Sequence, residues 1–157
     1  MILDCMRKKY NNYLGRCFNK RRTSDKLSLA QRSELMSNIR SKKTNFEIAF
    51  VKQLRKATKR RFLVNVSSMK GKPDIVFNNS RICVFLDSDF WHGWQYPRWK
   101  HLLKNNFWRN KIENNRNRDK RTAAYLKRHG WKVIRVWEHN INNNLIKAIR
   151  DILCLAK

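Results

Sequence analysis

The chain has 157 residues, 41% of them hydrophobic, which is enough for one compact domain with a core of its own. Its 37 Lys and Arg stand against 11 Asp and Glu, a formal charge of +26. That balance argues against a small neutral metabolite as the sole partner and points to a polyanion, of which nucleic acid is the commonest, although a generically basic protein has the same composition.

Residues 1–27 are basic, with Tyr10, Tyr13, Leu14 and Phe18 at no clear period, and read as an arm appended to a domain at 28–157. No apolar run approaches the roughly 18 residues of a membrane span. The start, MILDCMRKK, lacks the continuous apolar stretch of a signal peptide, so a soluble, cytoplasmic protein is expected. Targeting to an organelle by an Arg-rich leader stays open, with Asp4 and Asp25 counting against it. Cys5, Cys17, Cys83 and Cys154 are scattered, without CxxC or zinc spacing, which suits a reducing compartment. Cys83 lies inside an apolar run and reads as a core filler.

Leu29, Leu35, Met36 and Ile39 follow Ser28 at helical spacing. A second helix is expected from about Asn45 to Lys59, with Phe46, Phe50, Val51 and Leu54 on one face and Thr44 and Glu47 forming a capping box. Arg61–Val66 reads as a strand, and Ser67–Lys72 as a loop closed by Gly71 and Pro73. Two short apolar runs follow, at 74–77 and 82–86, parted by Asn78-Asn79-Ser80-Arg81, the pattern of a hairpin. Gly93–Lys104 reads as an irregular excursion around Pro97. A long polar helix is expected over Asn106–His129, with Tyr125 and Leu126 buried and Gly130 as the left-handed residue beyond its end. Lys132–Trp137 alternates as a strand. Asn140, Asn142, Asn143 and Asn144 break the pattern before a closing helix, Leu145–Leu155, with Ile146, Ile149, Ile152 and Leu153 on its apolar side. The order ααβββαβα implies an α/β domain: a small central mixed sheet flanked by helices.

Acids are conspicuous in a chain this basic. Asp74 opens the first run of the hairpin, and Asp87 closes the second just before the Phe90-Trp91-His92 cluster. Carboxylates at adjacent strand ends converge on one point, and converging oxygen ligands suit Mg²⁺. A turn aspartate after a proline is the bland alternative for Asp74. His92 can shuttle a proton near neutral pH.

The blocks MSNIRSKKTNFE, GKPDIVF, VFLDSDFWHG, FWRNKIENNRNRD and LKRHGWKVIRVWEH, in this order, resemble the very short patch repair (Vsr-type) DNA mismatch endonucleases from about Ser28 onward. The resemblance implies a restriction-endonuclease-like fold and Mg²⁺-dependent nicking of one strand beside a T·G mismatch. It implies that Asp74 is the catalytic, metal-binding aspartate and that the Leu86 backbone carbonyl completes the metal site. Asp87 follows as a ligand or as the group that orients or deprotonates water. His92 and Glu47 are further site residues, although Glu47 is also the acid of its own capping box. The lysine usual two residues after the second acid of restriction-type sites is replaced by Asp89, and His92 is its natural substitute.

Phe90, Trp91 and Trp108 match the aromatic residues that the family wedges into DNA, with burial in the core as the alternative. Arg109, Lys111, Arg116, Arg118 and Lys120 read as phosphate contacts, and Asn115 matches an asparagine near the recognised base. The family's type members hold a structural zinc, but those positions here read Asp89, Trp94, Tyr96 and His139, so no structural zinc is expected. The implied partners are double-stranded DNA, which places the protein at the nucleoid, and, as candidates, other mismatch-repair proteins, with the chain a monomer. Two other readings compete: a homing or mobile-element nuclease on the same fold, and a DNA-binding protein that does not cleave. The paired acids argue against the second.

Overall fold

A computed structural model describes residues 45–103 and 106–156, all within one unit spanning 42–157. The N-terminal arm, the helix expected after Ser28, Thr44 of the capping box, Cys5 and Cys17 lie outside the described residues. In chain order the elements are α1 (Asn45–Ala57), β1 (Leu63–Val64), β2 (Ile75–Phe77), β3 (Ile82–Asp87), α2 (Tyr96–Trp99), α3 (Asn106–Arg128), β4 (Lys132–Trp137), α4 (Glu138–Asn143) and α5 (Leu145–Leu155).

The expected hairpin forms, with β2 and β3 antiparallel in the register Val76↔Cys83. Strand β4 returns parallel to β3, from Ile82↔Lys132 to Asp87↔Trp137. The sheet order is β1-β2-β3-β4, a mixed four-stranded sheet. All six residues of β3 are buried, which is why its sequence runs apolar without alternation: helices cover both of its faces. On one face Ile75, Phe77, Ile82, Val84, Leu86 and Val136 pack with Phe50 and Leu54 of α1, Ile141 of α4, and Ile149 and Ile152 of α5. On the other, Val76, Cys83 and Phe85 pack under Leu126 of α3. Cys83 is thus the core filler expected of it, whereas Cys154 is exposed.

Four expectations need correction. The strand foreseen over Arg61–Val66 is two residues long, because Asn65 turns left-handed (φ +54°) and ends the ladder. The Asn65 and Val66 amides still donate to the Asp74 and Pro73 carbonyls at 2.8 and 3.0 Å, so the segment stays tied beside β2. The Gly93–Lys104 excursion is not irregular throughout: it contains α2 and a 3₁₀ turn at Lys100–Leu102, pinned by buried Tyr96, Trp99 and Leu103. The asparagine run does not break the chain but forms α4, held by buried His139 and Ile141. Asn144 then accepts from the Lys147 amide at 2.8 Å and caps α5.

Finally, Tyr125 and Ile146 are exposed. Neighbours on a helix point about 100° apart, so Tyr125 cannot share the narrow seam taken by Leu126. The α5 seam runs Leu145, Ile149, Ile152 and on to Ala156, which turns Ile146 outward. Gly130 takes the left-handed conformation expected of it (φ +77°). Among the described residues no helix is long and apolar enough to cross a membrane.

Candidate active site and nucleic-acid interface

Two left-handed residues, Gly71 (φ +83°) and Lys72 (φ +53°), swing the chain beneath α3 before buried Pro73 leads into β2. A Cβ on Gly71 would lie 2.2 Å from Thr122 Cγ2, so only glycine fits there. Asp74 emerges from this turn fixed at both ends. Its amide donates to the Val84 carbonyl at 3.1 Å, and its Oδ2 accepts from the Leu86 amide at 2.7 Å.

Burial pushes the Asp74 carboxyl up to about 6, with the Leu86 amide working against the rise. The negative charges of Glu47 and Asp87 push it further, and His92 draws it back. All four candidate catalytic side chains therefore share one electrostatic neighbourhood, Glu47 from the first turn of α1.

Asp87, at the end of β3, is 1% exposed. Arg135 of β4 grips it with two prongs, Nε to Oδ2 and Nη2 to Oδ1, the latter at 2.6 Å. The same Nη2 lies 2.9 Å from Asp119 Oδ2 on α3. Asp119 Oδ2 is 2.6 Å from His92 Nδ1, and Asp87 Oδ1 is 3.5 Å from that nitrogen. Arg135 Nη2 also lies 3.2 Å from that nitrogen, but the carboxylate is the closer group and can only accept, which assigns the proton to Nδ1 as donor to Asp119 and leaves Nε2 with a lone pair. Burial works to raise the Asp119 carboxyl, but His92, Arg135 and Arg118 together hold it below the usual range.

Sequence reasoning missed Asp119 and Arg135, although both left a signal. Ile112, Asn115, Asp119, Thr122 and Leu126 follow 3-4-3-4 spacing and form the inward seam of α3. In KVIRVW, period two puts Arg135 on the same face as Val133, where a charge demands a partner.

The aromatic cluster stands beside this site. Phe90 meets Trp91 edge-on at 4.9 Å, and Trp91 and Trp108 lie 5.6 Å apart. Phe90 stacks on buried Trp99 at 5.8 Å. Phe90, Trp91 and Trp108 are each half-buried, a contiguous patch resting on the core without joining it.

The basic residues of α3 divide into two sets. Lys111, Arg118 and Lys120 are exposed. Asn115 instead donates Nδ2 to the Trp91 carbonyl at 3.0 Å, and Arg116 lies over the Tyr96 ring with Nη1 donating to the Gly93 carbonyl at 3.5 Å. Half-buried Arg109 has its Nε buried without a hydrogen-bond partner. The structure thus places Asn115 and Arg116 on the loop that carries the rings.

The four positions corresponding to the family's zinc ligands are only partly brought together. Asp89 Oδ1 lies 2.7 Å from His139 Nδ1, and Trp94 packs on that imidazole at 4.6 Å. Tyr96 donates its hydroxyl to Glu113 Oε1 at 3.2 Å instead. Among the described residues no three His, Cys, Asp or Glu side chains converge as a metal-binding group. Mg²⁺ makes a lighter demand, one or two carboxylates with water completing its shell. Asp74 fits it: a desolvated carboxylate between two other negative charges is one that a divalent cation relieves, and the end of β3 brings the Leu86 backbone alongside.

Residues 24–98 match the family model for the DNA mismatch endonuclease Vsr. Over 142 residues the chain is 36% identical to a type II nicking enzyme of Neisseria meningitidis serogroup C, covering 85% of this chain and 95% of that one. A type II nicking enzyme of Haemophilus parainfluenzae is 37% identical over 131 residues, 82% of this chain and 92% of its own length. The DNA mismatch endonuclease Vsr of Escherichia coli K12 is 36% identical over 78 residues, 49% of this chain and 50% of that protein.

Proposed function

This chain belongs to the Vsr family of DNA mismatch endonucleases and is a DNA endonuclease, and from that premise we propose that it nicks one strand of duplex DNA at a T·G mismatch, using Mg²⁺, in very short patch repair. One observation carries the reading: a desolvated Asp74 beside the end of β3, with His92 oriented by Asp119 next to it and a half-exposed aromatic patch above.

Asp74 and the Leu86 carbonyl would hold the ion. When bound, Mg²⁺ supplies Lewis-acid stabilisation of charge developing on the phosphate. His92 performs the proton transfer. Its Nδ1–H is committed to Asp119, so Nε2 accepts a proton from the attacking water, and the carboxylate steadies the imidazolium that forms. Lys111, Arg118 and Lys120 hold backbone phosphates without reading sequence. Phe90, Trp91 and Trp108 enter the stack, and a mispaired step lowers the cost of unstacking by a few kcal/mol at most. Relatives named nicking enzymes favour cutting one strand.

The test is a nicking assay on T·G-containing and matched duplexes with Mg²⁺ and with EDTA. Nicking should appear on the mismatched strand with Mg²⁺ alone, and Trp91→Ala or Trp108→Ala should lower the mismatch-to-matched ratio more than DNA affinity. Equal cleavage of both duplexes rules out the mismatch reading, and full activity in EDTA rules out the metal.

A further inference from the structure

Arg135 stands at the centre of the acidic cluster. Its fork occupies both oxygens of Asp87, a carboxylate otherwise sealed from solvent. It reaches Asp119 with the same Nη2 at 2.9 Å, and its guanidinium lies over the Phe85 ring at 5.4 Å, which fixes its plane. Bidentate pairing of this kind is a geometric device as much as a charge pair, because two parallel N–H bonds define the orientation of both planes. A carboxylate that ligates a cation, or takes a proton from water, needs a lone pair open toward the reacting centre. Asp87 has the lone pairs that face Arg135 committed to its fork, and at 1% exposure its remaining ones have no access to solvent water. Asp74 differs: among the described residues its carboxylate accepts through Oδ2, from the Leu86 amide.

We propose that Arg135 is a positioning residue of the cleavage reaction, and that Asp87, held by it, is neither a metal ligand nor the base that activates water. The inference rests on the Mg²⁺ reading of Asp74. It makes a chain of orientation: Asp87 fixes Arg135, Arg135 fixes Asp119, and Asp119 fixes the His92 ring. Asp74 is then the carboxylate left open to the ion.

The test uses the full chain and reads binding of Mn²⁺, a stand-in for Mg²⁺, by electron spin resonance, beside kcat and KM for nicking. Asp87→Asn should keep Mn²⁺ affinity within about threefold of wild type, whereas Asp74→Asn weakens it more than about tenfold. Asp87→Asn and Arg135→Gln should each lower kcat about tenfold or more with KM little changed. The double variant should lose no more than the worse single one, since the groups act as a unit. Arg135→Lys, a point charge in place of a fork, should recover only a minor part of the loss.

A Mn²⁺ affinity in Asp87→Asn as weak as that of Asp74→Asn, or additive kcat losses in the double variant, overturns the assignment. Should Arg135→Gln not fold, the variant with Asp87→Leu and Arg135→Met together decides it, because removing both buried charges avoids stranding one. Retained Mn²⁺ affinity there supports the proposal and lost affinity overturns it. Mn²⁺ binding unchanged by Asp74→Asn would instead sink the metal reading, with the kcat cycle still deciding Arg135.

Discussion

At the scale of single residues, Asp74 is placed where its charge is costly without a cation. Its ordinary value of 3.8 rises to about 6 in the folded protein, so the folded state holds the proton more tightly than the unfolded one. The sign follows by linkage. Below about pH 4 both states are protonated and there is no penalty; as pH rises through 6 the folded state must carry a desolvated carboxylate, and stability falls. Asp74→Asn keeps an acceptor for the Leu86 amide and removes the charge. In EDTA at pH 7.5 it should be more stable than wild type by about 3 kcal/mol, with the gain vanishing near pH 4. It should also be inactive. Urea unfolding at the two pH values checks this, and a destabilised Asn variant at pH 7.5 would contradict it. Asp74, Asp87 and His92 were legible in the sequence because each sits in a local motif at a strand end. Asp119 and Arg135 were not, because their partners are 27 and 48 residues away and only the fold brings them together.

At the scale of elements, the hairpin, α1, α3, β4 and α5 could be read from apolar period, since their spacing reports which face is covered. The short pieces could not. Tyr96, Trp99 and Leu103 do repeat at helical spacing, but Pro97 and the surrounding cations masked the signal. The length of β1 turned on one left-handed Asn65, which sequence does not announce. The contact that matters most for the site is the passage of the Gly71 turn under α3, because the same helix carries Asp119 and the same turn presents Asp74. Gly71→Ala should therefore damage the site and the fold together. Its methyl would overlap Thr122 at a φ of +83°, for a loss of about 2–4 kcal/mol from overpacking and backbone strain combined. Gly71→Ala combined with Thr122→Ser, which deletes the clashing methyl, should recover part of the melting temperature. No recovery would mean that backbone strain alone sets the cost.

At the scale of the whole molecule, the charge of +26 governs affinity, and the structure says which cations are free to contribute. Each phosphate neutralised releases counterions, so binding weakens steeply with salt, with a log–log slope of about −0.9 for each contact on duplex DNA. A cation already spent inside the protein adds nothing to that slope. Lys111 and Lys120 are exposed on α3, whereas Arg116 is half-buried between the Gly93 carbonyl and the Tyr96 ring. Lys111→Ala and Lys120→Ala should each flatten the slope by about one unit and weaken matched and mismatched duplexes alike. Arg116→Ala should leave the slope nearly unchanged. It should instead loosen the loop that bears Trp91, lowering mismatch preference and, through lost packing, the melting temperature. Fluorescence titrations of labelled duplex at several salt concentrations, in EDTA so that cleavage does not intervene, separate the two classes. A full unit of slope lost in Arg116→Ala would place its guanidinium on the phosphates, and the division of α3 into loop-holding and DNA-holding cations would be wrong.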